Sequence, residues 1–109
     1  MKRNALFLCG KARMRSPTAA DIAARIDGVS ADFAGLSADS EEKLSSEQIE
    51  WADIIFVMER RQRKRLTDLF GNLLHTKKIR VLNIPDKYSY MDKELVQLLE
   101  PKIRAALDL

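Results

Sequence analysis

Short apolar runs alternate along the chain with segments in which apolar residues recur every three or four positions. The runs are typical of buried strands, and the longer period is typical of helices that cover a sheet. The runs predict four strands, at residues 4–9, 29–37, 53–58 and 78–84. The periodic segments predict helices at residues 16–26, 59–74 and 93–109, and a short helix beginning near Ser45 or Ser46. Pro101 predicts a kink in the last helix or its division into two pieces.

This alternation predicts an α/β sandwich with a mostly parallel sheet and right-handed crossovers. Ligands of such folds bind at the carboxyl ends of the strands. Cys9, the residues after Met58 and the loop after Ile84 all follow predicted strands, so we expect them at one edge of the sheet. Any chemistry carried by these segments would then meet at a single site.

Composition narrows the class of protein. A length of 109 residues suits one domain, and 46% hydrophobic with 32% charged residues suits a folded chain. The apolar runs are too short to span a bilayer, and the start "MKRNALFLCG" lacks the cleavage site of a signal peptide. We therefore expect a cytoplasmic protein with no membrane partner. A single cysteine, which cannot form an intramolecular disulfide, is ordinary in that reducing compartment.

The charge balance favours an anionic partner, although weakly. The formal net charge is +3, and the most basic run, "ERRQRKR", lies in a predicted helix, where a solvated face is its ordinary role. Interleaved aromatic residues and a recognisable module are both missing, so nucleic acid is not favoured. No cluster of cysteine and histidine predicts a metal site, and no cofactor is expected.

The stretch "CGKARMRSP" carries the chemistry that the sequence predicts. Cys9 ends the first strand, and Ser16 and Pro17 are predicted as the N-cap and first residue of a helix. The loop between them would then present backbone N–H groups to an anion. The helix N-terminus and Arg15 favour the thiolate form of Cys9, and the guanidinium fork suits two phosphate oxygens. A thiolate beside an anion cradle can attack phosphorus, whereas a buried inert thiol is the ordinary alternative.

The pattern C-x5-R-S-P, between a strand and a helix, resembles the low-molecular-weight protein tyrosine phosphatase family. Three further segments resemble that family in the same order along the chain: "AGLS", "WADIIFVMERRQRKRL" and "IPDKYSY". The chain is therefore similar to a shortened, divergent member. The resemblance implies a three-layer, flavodoxin-like sandwich whose four parallel strands have the order 2-1-3-4. It also implies hydrolysis of phosphomonoesters, phosphotyrosine above all, in phosphorylated proteins or small molecules.

The same resemblance implies a role for five residues. Cys9 is similar to the nucleophile, Arg15 to the phosphate-binding arginine, and Ser16 to the serine that eases departure of the thiolate. Asp86 matches the general acid, with Asp92 as its competitor, and Tyr88 resembles an aromatic wall of the substrate slot, although a packing role is equally open.

The resemblance implies a phosphate or sulfate site in the loop formed by Gly10, Lys11, Ala12, Arg13, Met14, Arg15 and Ser16. Lys11 and Ala12 stand where the family commonly has glycine and asparagine, which keeps open a phosphate-binding or phosphoprotein-binding module with weak or no catalysis. Arsenate reduction and a phosphocarrier of the phosphotransferase IIB kind are less favoured, since the chain has no second cysteine and does have Arg15 and Asp86. Lys11 and Arg13 would suit a substrate with acidic neighbours.

Overall fold

The computed structural model describes residues 3–11 and 13–109. The strands are β1 (Arg3–Cys9), β2 (Val29–Gly35), β3 (Ile54–Val57) and β4 (Lys78–Val81). They form one parallel sheet in the order β2-β1-β3-β4, as the resemblance implies. The helices are α1 (Arg15–Ala24), α2 (Ser46–Trp51), α3 (Arg60–Phe70) with a 3-10 turn at Gly71–Leu73, and α4 (Lys93–Ala106). Among these residues, no helix is long and apolar enough to cross a membrane.

Two apolar layers, one on each face of the sheet, explain why the strands have uninterrupted hydrophobic runs. On one face, Phe7 and Phe56 stack with ring centroids 4.7 Å apart, and α1 and α4 cover them. On the other face, Leu6 and Ile55 pack under α2 and α3. Burial on both faces fixes β1 and β3 at the centre of the sheet and holds their carboxyl ends, where Cys9 lies, in place.

The end of α4 differs from the sequence prediction. Pro101 lies inside one continuous helix, so the division of that helix into two pieces is wrong. The proline ring is on the exposed side, while Leu99 and Ile103 on either side of it remain fully buried in the core. Packing of this apolar face offsets the loss of the single backbone hydrogen bond that proline cannot donate.

The beginning of α1 also differs. The helix starts at Arg15 with Met14 as its N-cap, so the prediction of Ser16 as the N-cap is wrong. The Ser16 side chain is fully buried, and its hydroxyl lies 3.0 Å from the sulfur of Cys9 instead of capping the helix. Pro17 is tolerated because a residue in the first turn needs no intrahelical N–H bond.

Candidate active site

The loop after β1 is held against the sheet by the segment that follows β2. The backbone N–H of Leu36 donates to the carbonyl of Cys9 at 3.0 Å, and that of Ser37 donates to the carbonyl of Gly10 at 2.8 Å. The hydroxyl of Ser40 donates to the same Gly10 carbonyl at 3.0 Å. These bonds continue the hydrogen bonding between β1 and β2 beyond the last strand pair, Cys9 with Gly35. They hold the backbone at Cys9 and Gly10 in place.

Gly35 explains the small-residue turn "AGLS". A Cβ atom at this position would lie 2.9 Å from the carbonyl oxygen of Gly10 and closer still to the Ser40 side chain. The Gly10 carbonyl belongs to the backbone and cannot move aside without displacing the loop that carries Cys9. Glycine at position 35 is therefore required for the close approach of the two loops.

Cys9 and Arg15 are both buried, with 4% and 3% of their areas exposed. The guanidinium Nη1 donates to the Glu59 carboxylate at 2.8 Å and to the carbonyl of Ile84 at 2.8 Å. Its Nε lies 3.7 Å from a carboxylate oxygen of Asp86. Arg15 is thus held by segments that follow β3 and β4, so all three strand ends contribute to the same site.

Glu59 belongs to the candidate site through its contact with Arg15, although the sequence analysis did not single it out. Its carboxylate binds Arg15 at 2.8 Å and Arg61 at 3.1 Å. The hydrogen bond from Arg15 is the main reason why the pKa of Glu59 lies below its ordinary value, and partial burial opposes that shift only in part. Gln62 supports this arrangement, because its side-chain oxygen accepts from the backbone N–H groups of Met58 and Glu59. An acidic residue directly after a central strand was the available signal.

A cavity of about 360 Å³ opens above these residues. Its lining combines the thiol of Cys9, the cationic side chains of Lys11, Arg13, Arg15 and Arg61, the carboxylate of Asp86, and the neighbouring Gly10, Met14 and Ser37. Four cations and one carboxylate line the cavity, and Glu59, which pairs with two of those cations, lies outside the lining. The lining itself is thus predominantly cationic. A larger hollow of about 880 Å³ lies between α3 and β4, but it contains neither the thiol nor Arg15. The chemistry therefore belongs to the smaller cavity.

The other predicted site residues have different placements. Ser16 lies behind the sulfur of Cys9 and outside the lining. Ala12 lies outside the described residues. Tyr88 is 92% buried in the core under α1 and α4 and is not among the residues that line the cavity, so its packing role is the one that the structure shows. Asp92 is the N-cap of α4, where its carboxylate accepts from the backbone of Glu94 at 2.9 Å.

Replacing Glu59 by glutamine should lower the free energy of unfolding by about 1–2 kcal/mol at neutral pH, because the buried Arg15 loses a charged acceptor. Since the folded-state pKa of Glu59 is lowered, its stabilising effect is complete above the ordinary value of 4.5 and is lost as the pH falls through the folded-state value. The gap between wild type and variant should therefore close on acidification, as measured by urea unfolding at several pH values.

Glu100→Gln is the control for this prediction, since Glu100 is exposed and pairs with Arg104 at 3.6 Å. We expect a loss of only a few tenths of a kcal/mol for the control. An equal loss in both variants, or a gap that widens on acidification, would contradict the role given to Glu59.

The comparisons with known proteins agree with this architecture. No family model matches the chain, and no curated protein matches it in sequence. Solved structures do match it. Wzb of Vibrio vulnificus in complex with benzylphosphonate has a TM-score of 0.80 at 19% identity, with 100% of both chains covered. The low molecular weight protein tyrosine phosphatase of Streptococcus pyogenes has 0.78 at 16%, with 97% of this chain and 91% of that one covered.

A third similar structure is the YwlE arginine phosphatase from Geobacillus stearothermophilus, with a TM-score of 0.71 at 16% identity and coverage of 97% and 93%. Two different phosphatase activities thus occur on the same backbone arrangement. The resemblance read from the sequence is confirmed at the level of the fold. The chain has the fold of the low-molecular-weight protein tyrosine phosphatases.

Proposed function

We propose that this protein is a phosphomonoester hydrolase of the low-molecular-weight protein tyrosine phosphatase type, which acts through a cysteinyl-phosphate intermediate. The observation that carries the proposal is the meeting of Cys9, Arg15 and Asp86 at one cationic cavity, with the Ser16 hydroxyl 3.0 Å from the sulfur. We further propose that it acts in the cytoplasm, where the thiol stays reduced.

The reaction follows from these placements. The thiolate of Cys9 attacks phosphorus, and the bond between phosphorus and the leaving oxygen breaks. The guanidinium of Arg15 and the loop N–H groups stabilise the charge on the equatorial oxygens, while Asp86 gives its proton to the leaving oxygen. Water, deprotonated by the Asp86 carboxylate, then cleaves the phosphocysteine. Inorganic phosphate leaves, and the Ser16 hydroxyl donates to the departing thiolate.

The electrostatics of the cavity bear on the choice of substrate. Phosphoarginine carries a cationic guanidinium beside the phosphoryl group, and it would approach the cations of Lys11, Arg13 and Arg61. Phosphotyrosine has a neutral ring that meets no such repulsion. Phosphotyrosine is therefore the substrate class that the lining favours.

The test is hydrolysis of p-nitrophenyl phosphate, phosphotyrosine and phosphoarginine by the intact chain, from about pH 4.5 to about pH 8. We expect turnover of the first two and little of the third. Binding of inorganic phosphate without any turnover would replace the hydrolase by a phosphate-binding module of the same fold, the alternative left open by Lys11 and Ala12.

Asp86→Asn should reduce kcat/KM for phenyl phosphate by about 10²-fold or more, because phenolate is a poor leaving group that needs a proton. This constant reports the first phosphoryl transfer and not the later hydrolysis step that the two esters share. The loss should be smaller for p-nitrophenyl phosphate, whose leaving group departs more readily as an anion. A larger loss for phenyl phosphate than for p-nitrophenyl phosphate identifies Asp86 as an acid, because a structural residue would affect both esters equally. Steady-state kinetics on both esters measures the two losses.

Asp92→Asn is the matched control, because asparagine is as good an N-cap as aspartate and should preserve α4. We expect wild-type kinetics from this variant. If Asp92→Asn loses the phenyl ester activity and Asp86→Asn retains it, Asp92 is the acid and the assignment of Asp86 falls.

A further inference from the structure

Two cations at the mouth of the cavity are paired with two carboxylates from one loop of the same chain. Lys11 lies 3.3 Å from Asp39, and Arg13 lies 3.5 Å from Glu41. All four side chains are more than half exposed, so these pairs lie at the rim and not in the cavity floor. Exposed pairs of this kind are weak and exchange partners readily.

The spacing of the pairs is matched on both sides. The cations are two residues apart in the phosphate loop, and the carboxylates are two residues apart in the segment after β2. Ser37 also donates to Asp39, and together with Lys11 this bond holds the pKa of Asp39 below its ordinary value. The chain itself therefore shows that the rim accepts a peptide segment with acidic residues at alternate positions.

We infer that Lys11 and Arg13 form a subsite for an acidic segment flanking the phosphorylated residue of a protein substrate. The inference rests on the proposed function and adds the substrate class to it. In the substrate complex, carboxylates at alternate positions of the substrate displace Asp39 and Glu41 from the two cations. No covalent step is involved, since one set of ion pairs replaces another.

A peptide is favoured over a small bisphosphate by this arrangement. The present partners of the two cations are carboxylates carried on a polypeptide at a fixed separation. Both cations line the cavity at its exposed mouth, where they can also contact a segment that extends out of it. A flexible acidic flank can follow the rim while its phosphorylated residue occupies the cavity above Cys9.

The experiment compares kcat/KM for two phosphotyrosine peptides that differ only in flanking Glu-x-Glu or Gln-x-Gln. We expect wild type to prefer the acidic peptide about twofold to threefold, less than two new exposed ion pairs would give, because Asp39 and Glu41 must first be displaced. The Lys11→Gln, Arg13→Gln double variant should lose the preference. The Asp39→Asn, Glu41→Gln double variant should increase it, because the two cations no longer have competing partners.

The matched control is Arg63→Gln with Lys64→Gln, which removes the same charge from α3 outside the active-site cavity. This control should keep the wild-type ratio of kcat/KM between the acidic and the neutral peptide. In both wild type and control, that ratio should fall as salt is added. An unchanged ratio in the Lys11/Arg13 variant, or an equal loss in the Arg63/Lys64 control, overturns the subsite.

The same peptides carrying a non-hydrolysable phosphonate separate this inference from the proposed hydrolase. Their dissociation constants, measured by calorimetry, report the subsite even if the protein turns over no phosphate ester. Acidic preference in binding without turnover would retain the subsite and reject the hydrolase. Turnover of the neutral peptide, with no preference for the acidic peptide in either assay, would retain the hydrolase and reject the subsite. A preference for a small bisphosphate over the acidic peptide would reject the peptide as the occupant.

Discussion

A Cys9→Ser variant is expected to lose about 10⁴-fold or more of its turnover of p-nitrophenyl phosphate while retaining its fold and its affinity for inorganic phosphate. The hydroxyl of serine is protonated at neutral pH and is a far weaker nucleophile than a thiolate. Ser16, which contacts the sulfur, is itself a hydroxyl and not a base. Asp86 lies near Arg15 and is assigned to the leaving oxygen and to water, so neither residue would activate the serine. Serine is close in size to cysteine, so the buried position should accept it with little strain.

The sequence makes this experiment unusually direct, because Cys9 is the chain's one cysteine. A phosphoryl group trapped on a thiol during turnover, seen as a mass increase after acid quenching, can only be at position 9. Thermal stabilisation by phosphate should persist in the variant and serves as the check on its fold. Full turnover in Cys9→Ser, or a phosphoryl group on another residue, would refute the cysteinyl-phosphate mechanism.

The central strands were predictable because hydrophobic burial on both faces imposes a local signal, whereas the order of the four strands came from the family resemblance. Residues 5–9 and 54–58 are all buried, and short uninterrupted apolar runs of this kind are typical of strands at the middle of a parallel sheet. The strand ends then follow, since parallel strands bring their carboxyl termini to one edge. Cys9, Arg15 and Asp86 could therefore be placed together without any knowledge of distances.

Ser16 shows where local rules fail. A serine before a proline is a strong signal for a helix N-terminus, yet the helix begins one residue earlier and the hydroxyl turns towards Cys9. Capping and the contact with sulfur compete for the same oxygen. The contact across the loop, which depends on tertiary structure, is the one that forms. Tyr88 is a similar case, because the core under α1 and α4 takes the ring that the motif would place in the slot.

Contacts between segments that are distant in the sequence could not be predicted, for a different reason. The partners of Lys11 and Arg13 are about thirty residues further along the chain, and they arrive only through the register that pairs Cys9 with Gly35. Glu59 was hidden in a run dominated by basic residues, although it is the residue that holds Arg15. The pattern of charged residues in a sequence predicts the net charge of a segment. It does not predict which of the charged side chains points into the protein.

Replacing Arg15 by lysine is expected to lower kcat/KM for p-nitrophenyl phosphate by about 10²–10³-fold, the scale of losing one donor to developing charge. The rigid, planar guanidinium of Arg15 donates hydrogen bonds to Glu59 and to the carbonyl of Ile84, and it forms an ion pair with Asp86. A lysine ammonium is a point charge that cannot reproduce a planar fork, so it can keep the ion pair with Glu59 only by giving up the phosphate geometry. Lysine is preferred to alanine, which would leave Glu59 with only the exposed Arg61 as its partner and would open a cavity in the buried site.

Arg80→Lys supplies the matched control, because Arg80 is exposed on β4 and lies outside the active-site cavity. Its kinetics should equal those of wild type. A second readout separates positioning from folding: the affinity of Arg15→Lys for phosphate should fall while its urea unfolding midpoint changes little. If the urea unfolding midpoint falls so far that much of the variant is unfolded under the assay conditions, the loss of activity reflects lost stability, and Arg15 acts through stability. If Arg15→Lys retains full kcat/KM, phosphate recognition depends on the backbone cradle alone, and the guanidinium serves to join the ends of β1, β3 and β4.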